Sequence, residues 1–199
     1  MYRKVIKRNI DVMVSLLLLP ILLVIFIIVP VLVYFEDQGP VFYNAPRLGK
    51  NGKTFIMFKF RTMKINAPDL RNPDNSTYSA EDDPRVTKIG KILRKFSIDE
   101  FPQLINVLKG DMSLIGPRPH LPSKNIQGLD EKRLKRITVR PGITGYNQAF
   151  YRNATSLVEK IENDAYYVDH LNFVLDIKIF LKTILAVIKT ENIYSQPKQ

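Results

Sequence analysis

The chain has no cysteine and only two histidines in 199 residues, and acidic residues are outnumbered, 19 against 30 Lys and Arg. Each scarcity removes a class of function. Without cysteine there is no disulfide framework, no thiolate nucleophile and no cysteine metal site, which is compatible with a reducing compartment. His120 and His170 stand alone, without metal-ligand spacing. No internal repeat or low-complexity tract is present, and the length suits one domain plus some extra. The charge balance gives +11 and a pI near 9.8, so an anionic partner is expected: nucleic acid, an acidic membrane surface or a phosphorylated substrate.

Charge is missing altogether from Val12 to Phe35, VMVSLLLLPILLVIFIIVPVLVYF, where Ser15 and Tyr34 are the polar interruptions. About 20 apolar residues span a bilayer. A cleaved signal peptide is disfavoured because the run exits through Phe35-Glu36-Asp37-Gln38-Gly39-Pro40, with no small-residue cleavage site. A soluble core helix is rarely apolar all round for this length. Arg3, Lys4, Lys7 and Arg8 hold the N-terminus in the cytoplasm by the positive-inside tendency. A full span then sends the basic remainder outside. A helix broken at Pro20 and re-entering the same face keeps both ends inside, and Pro30 removes a second donor. The run alone leaves both topologies open.

Val41 to Met63 reads as a hairpin turning at Lys50-Asn51-Gly52-Lys53, since Asn-Gly favours tight turns and aromatic and β-branched residues flank it. Lys59 and Arg61 then share one strand face, either as ligands or as a solvated basic surface. Residues 66–84 are rich in Pro, Asn and Asp and read as a mobile loop. Ile89, Ile92, Leu93 and Phe96 recur at helical spacing among Lys88, Lys91, Arg94 and Lys95, an amphipathic basic helix suited to a membrane surface or a phosphate. Two further helices are expected at Ser156–His170 and Phe173–Lys189. In the second, Lys178, Lys182 and Lys189 fall within about 40° of one another. A narrow lysine stripe beside a wide apolar face suits a helix in the membrane interface, or a core helix with solvated lysines.

Ser97-Ile98-Asp99-Glu100 fits a capping box, in which Ser97 and Glu100 satisfy each other's amides. Pro102 opposes it, because it suits the first position of a helix that restarts there. In that case Asp99 and Glu100 lie on the turn before the helix, facing its positive end. The amides and Arg94 favour ionised Asp99, an available nucleophile. The same amides hold a phosphate if a cation such as Mg²⁺ on Glu100 offsets the repulsion. Pro117 and Pro119 restrict the backbone around Arg118, and Arg140 precedes Pro141-Gly142-Ile143-Thr144-Gly145; arginine binds phosphate bidentately. Either segment alone also reads as a structural loop.

These pieces occur in order over nearly the whole chain: the basic N-terminus and apolar run, Lys59-Phe60-Arg61-Thr62-Met63, Ser97 to Leu104, Asn106 to Ser113, Gly116-Pro117-Arg118-Pro119, Arg140 to Gly145, and Asp164-Ala165-Tyr166-Tyr167-Val168. Together the chain resembles the bacterial sugar transferase family, the small monotopic phosphoglycosyl transferases. The resemblance implies a helix-rich α/β fold, with a re-entrant membrane anchor over 1–38 and a cytoplasmic catalytic domain over 39–199 that carries a β-hairpin and membrane-surface helices. It implies a UDP-sugar donor, a polyprenyl phosphate acceptor in the cytoplasmic leaflet, Mg²⁺, and no nucleic acid. Carried over, Asp99 is the nucleophile and forms a phosphosugar ester, Glu100 holds Mg²⁺, and Arg94, Arg118, Arg140, Lys59 and Arg61 are phosphate contacts. A cytoplasmic donor also favours re-entry at Pro20 over a span.

The chain departs from the family in two places. Relatives often place a serine before the breaking proline, where this chain has Leu19, with Ser15 upstream. Many relatives have tryptophan and alanine where this chain has Gly145-Tyr146-Asn147-Gln148. Because the chain begins almost at the apolar run, no additional transmembrane bundle is expected. The competing class is a basic membrane-tethered module that binds nucleic acid or lipid without catalysis, for which Asp99 is dispensable.

Overall fold

Backbone amides in an apolar run must bond to one another, and Val12–Phe35 does so as two helices. In the computed structural model, which describes residues 1–72, 78, 80–122, 126, 128–152 and 154–189, α1 is Lys7–Leu17 and α2 is Leu19–Asp37. The helix is interrupted at Leu18, two residues ahead of the expected Pro20. Pro20 sits instead in the first turn of α2, where its missing N–H costs nothing. Ser15, on α1, is fully buried. Pro30 lies inside α2, whose end is closed by Gln38 in the left-handed conformation.

The hairpin forms as expected but is shorter: β1 (Ala45–Leu48) pairs antiparallel with β2 (Thr54–Met57), Ala45 opposite Met57. Asn51 and Gly52 take the positive φ that a tight hairpin turn requires. Lys59 and Arg61 fall beyond the end of β2. The centre of the expected 66–84 loop, 73–77 and 79, lies outside the described residues. Its flanks are pinned by Arg85, which pairs with buried Asp83 and donates to Pro68 O and Tyr78 O.

The expected basic helix is α3 (Lys88–Lys95), capped by Thr87 and by Glu36 from the end of α2, whose carboxylate accepts the amides of Lys88 and Ile89. Leu93 packs with Val29, Val33 and Phe60, whereas Ile92 and Phe96 remain exposed. Next come a single 3₁₀ turn (Ile98–Glu100), α4 (Gln103–Lys109) and β3 (Ser113–Ile115). Then α5 (Glu131–Arg136) precedes β4 (Gly142–Thr144), which pairs parallel with β3, Ser113 opposite Gly142. This pairing demands glycine. A Cβ on Gly116 would stand 2.6 Å from Arg140 O, and one on Gly142 would collide with Gly116 N. The glycines of the Gly116–Pro119 and Arg140–Gly145 segments thus exist to let two backbones touch.

The remaining helices are α6 (Tyr146–Phe150), α7 (Leu157–Asp169) and α8 (Phe173–Lys189), the last two where periodicity places them. Ile115, Val139, Ala149, Tyr167, Val168 and Ile179 form the core beneath them. On α8, Phe173, Val174, Ile177, Phe180, Leu181, Ile184, Leu185 and Ile188 are exposed along a stripe about 140° wide. Its core-facing side is the narrow one, carrying Ile179 and Asp176.

Candidate active site

Asp99 and Glu100 lie on the 3₁₀ turn immediately before Pro102 and α4. The capping box does not form. Ser97 adopts a left-handed conformation (φ 57°) and makes no side-chain cap; the helix restarts one residue later than the alternative reading had it, at Gln103 with Pro102 as its N-cap. A complete capping box occurs elsewhere, between Ser156 and Glu159 at the start of α7.

The turn is held against the segment that follows β2. Phe60 N donates to Asp99 O at 3.0 Å, and buried Asn106 on α4 accepts from Phe58 N and donates to Ile56 O. These bonds fix Lys59 opposite the acids. Its Nζ lies 2.6 Å from Asp99 Oδ2 and 3.6 Å from Glu100 Oε1. Arg118 Nη2 reaches Glu100 Oε1 from the other side at 3.3 Å. Asp99 is nearly buried, while the Glu100 carboxylate retains 19% exposure. Burial pushes the Glu100 carboxyl up, but Arg118 and Lys59 together outweigh it and hold the group below the usual carboxylate range.

Four of the expected site residues, Asp99, Glu100, Lys59 and Arg118, therefore meet. Three are engaged elsewhere. Arg61 is buried and forms a bidentate pair with Asp37 at 2.5 and 2.6 Å, so it tethers the end of α2. Arg94 Nε donates to Thr62 Oγ1 at 2.9 Å, joining α3 to the Lys59 segment. Arg140 Nε donates to Gly110 O at 2.9 Å, at the far end of α4 from Asp99. Seven helical residues separate those ends by about 10 Å.

Near Arg118, the carboxylate of buried Asp164 is paired with buried Arg136. His120, beside this group, is pushed down to about 3 by burial and by Arg136, Arg133, Arg118 and Arg47. It is a neutral ring at ordinary pH. Asn147, at a departure from the family pattern, is spent internally: its Oδ1 accepts from Thr155 and Asn163 and its amide donates to Arg152 O. Sequence reasoning missed the buried acids Asp11 and Asp176, and gave no role to Asp164 and Asn106, which it placed only within segments of the family pattern. A lone Asp inside an otherwise apolar helical stretch was the signal available for Asp176.

The family model described as bacterial sugar transferase matches residues 2–190. The chain belongs to the bacterial sugar transferase family. It is 42% identical to an uncharacterized sugar transferase, EpsL, of Bacillus subtilis, over 95% of this chain and 90% of that protein. It is 38% identical to the exopolysaccharide production protein ExoY of Sinorhizobium fredii, over 94% and 88%. It is 37% identical to the UDP-glucose:undecaprenyl-phosphate glucose-1-phosphate transferase of Escherichia coli, over 91% of this chain and 40% of that longer protein. The protein is thus an enzyme, a sugar-phosphate transferase, and the class of non-catalytic binding modules falls away.

Proposed function

We propose that the protein transfers a phosphosugar from a UDP-sugar to polyprenyl phosphate through Asp99. The observation that carries this reading is the contact of Asp99 with Lys59 at 2.6 Å, beside Glu100 and Arg118 and directly before the start of α4. In the first step an Asp99 carboxylate oxygen attacks the phosphorus bearing the sugar. The bond from that phosphorus to UMP breaks, and UMP leaves with the electron pair. In the second, an oxygen of polyprenyl phosphate attacks the same phosphorus, the bond to Asp99 breaks, and polyprenyl diphosphate sugar departs. The second displacement frees the Asp99 carboxylate that the first consumed, and each leaving group departs as an anion, so no proton donor is required at Asp99. Lys59 and Arg118 stand where charge accumulates on the phosphoryl oxygens.

Glu100 fits Mg²⁺ because it is ionised and partly exposed, and this ion commonly takes one or two carboxylates together with substrate phosphates. Among the described residues no group of three acids or histidines is gathered for a metal, so Glu100 would hold the ion jointly with substrate phosphate and water, where it would supply positive charge to the diphosphate. Arg94 and Arg140 enter this reading as supports of the Lys59 segment and of α4.

The re-entrant topology is part of the same proposal. Both ends of the apolar segment are bonded to one body. Arg8 donates to Val107 O and Leu108 O and Asp11 accepts from Ser113 and Leu114 N at one end; Glu36 caps α3 and Asp37 pairs with Arg61 at the other. A span across about 30 Å of hydrocarbon would part those contacts. The catalytic domain then lies on the cytoplasmic face, with the donor.

The test is incubation of the full chain with Mg²⁺ and a panel of UDP-sugars, without acceptor. A covalent adduct of phosphosugar mass on Asp99 and release of UMP are expected, and both vanish in Asp99→Asn. An Asp99→Asn protein with unimpaired turnover would sink the mechanism.

A further inference from the structure

Arg140 was expected to meet a phosphate, yet it stands about one α4 length from Asp99 and Glu100. It opens instead on a different pocket of about 390 Å³, counting its mouth, at the foot of α1. Arg3, Lys7, Lys50 and Arg140 line this pocket together with Asp11 and Ser113. Arg3, Lys7 and Asp11 recur every fourth residue and so share one face of the N-terminal helical stretch.

The charges there do not cancel. Lys7 is paired with Asp176 at 2.7 Å, but Arg3 donates to Thr138 Oγ1 and Arg140 to a backbone carbonyl, both neutral acceptors. Lys50 is exposed on the hairpin turn. The one lining acid, Asp11, is occupied by Ser113 Oγ and Leu114 N. Three cations thus converge on a cavity without an equal number of carboxylates, an arrangement that suits a phosphate.

The surroundings select the carrier of that phosphate. Tyr2 stacks edge-on against Phe173 at 5.8 Å, bringing the start of α8 beside the start of α1. The outer face of α8 there is exposed and apolar, with Phe173, Val174 and Ile177, and Leu171 just before it lines the pocket. A phosphate seated among the cations would leave attached acyl chains against that face.

We propose that the Arg3–Lys7–Lys50–Arg140 pocket is a second phosphate site, separate from the reaction centre, that binds the headgroup of an anionic phospholipid. The inference rests on the membrane-bound reading of the anchor and not on the chemistry of Asp99. Seating one such lipid at the base of the anchor would fix the height and tilt of the catalytic body on the bilayer.

The experiment uses the full chain in phosphatidylcholine nanodiscs doped with phosphatidylglycerol, and native mass spectrometry of the extracted protein. One retained phosphatidylglycerol per chain is expected. Retention falls at least about tenfold in Arg3→Gln/Lys50→Gln, which loses charge-assisted hydrogen bonds to the phosphate. Lys64→Gln/Lys132→Gln removes the same charge elsewhere and leaves retention unchanged, as does millimolar inorganic phosphate. The Asp99 adduct, followed separately, forms normally in both double variants. Equal loss in the two variants would reduce the effect to general surface charge, and displacement by inorganic phosphate would make the ligand a soluble anion. A raised KM for polyprenyl phosphate in Arg3→Gln/Lys50→Gln would make the pocket the acceptor's seat. Each of these three results overturns the proposal.

Discussion

Lys59 places one positive charge against two neighbouring carboxylates, and Arg118 adds another on the outer side. Removing either changes what Glu100 can do. Arg118 contributes the largest attraction holding Glu100 ionised, against the burial that opposes it. Arg118→Gln therefore raises the pH at which Glu100 takes a proton, and the acid limb of the kcat/KM profile moves to higher pH. Unchanged limbs at reduced activity would show that Arg118 touches only substrate. His120 governs a different pH range. Its folded value of about 3 lies below the ordinary 6.5, so between those values the unfolded chain binds a proton that the folded one refuses. Stability accordingly falls as pH drops from 6.5 towards 3, in total by several kcal/mol at about 1.36 kcal/mol per unit. His120→Leu flattens that acid arm in denaturant titrations, and a melting profile as steep as that of the parent protein would contradict the assignment.

Elements were legible where a period repeats and illegible where a single contact decides. The hairpin turn, α3, α7 and α8 were readable because Asn-Gly geometry and apolar spacing are local properties. The end of β2 and the break at Leu18 were not. Arg61 looks like a phosphate ligand two residues from Lys59, but its guanidinium is taken by Asp37, a residue 24 positions earlier. Nothing local signals that pairing. Arg61→Met leaves Asp37 without its partner and loosens the end of α2; a loss of about 1.5–3 kcal/mol is expected, the range for a hydrogen bond to a charged group. Thermal melts in detergent would measure it, and an unchanged midpoint would remove Arg61 from the tether.

At the scale of the whole molecule, the two apolar helices are bonded to the rest of the chain at both ends of the apolar segment. The absence of cysteine makes this testable, since single cysteines introduced at Tyr2 and at Gln199 are the only thiols. Neither is expected to react with an impermeant maleimide added outside intact cells, and labelling of one alone would establish a span. Sequence by itself determined the uncharged apolar run, the basic character, the helical periods and the Asp99–Glu100 pair with Pro102 behind it, because each is carried by residues within a few positions of one another. Only the tertiary structure decided which cations reach those acids. Lys59 and Arg118 arrive from 40 residues before and 19 after Asp99 through strand, loop and glycine contacts, while Arg61, Arg94 and Arg140 are drawn to nearer acceptors. The reason is physical: a guanidinium binds whichever oxygen the fold brings within about 3 Å, and that distance is set by packing between segments remote in the chain.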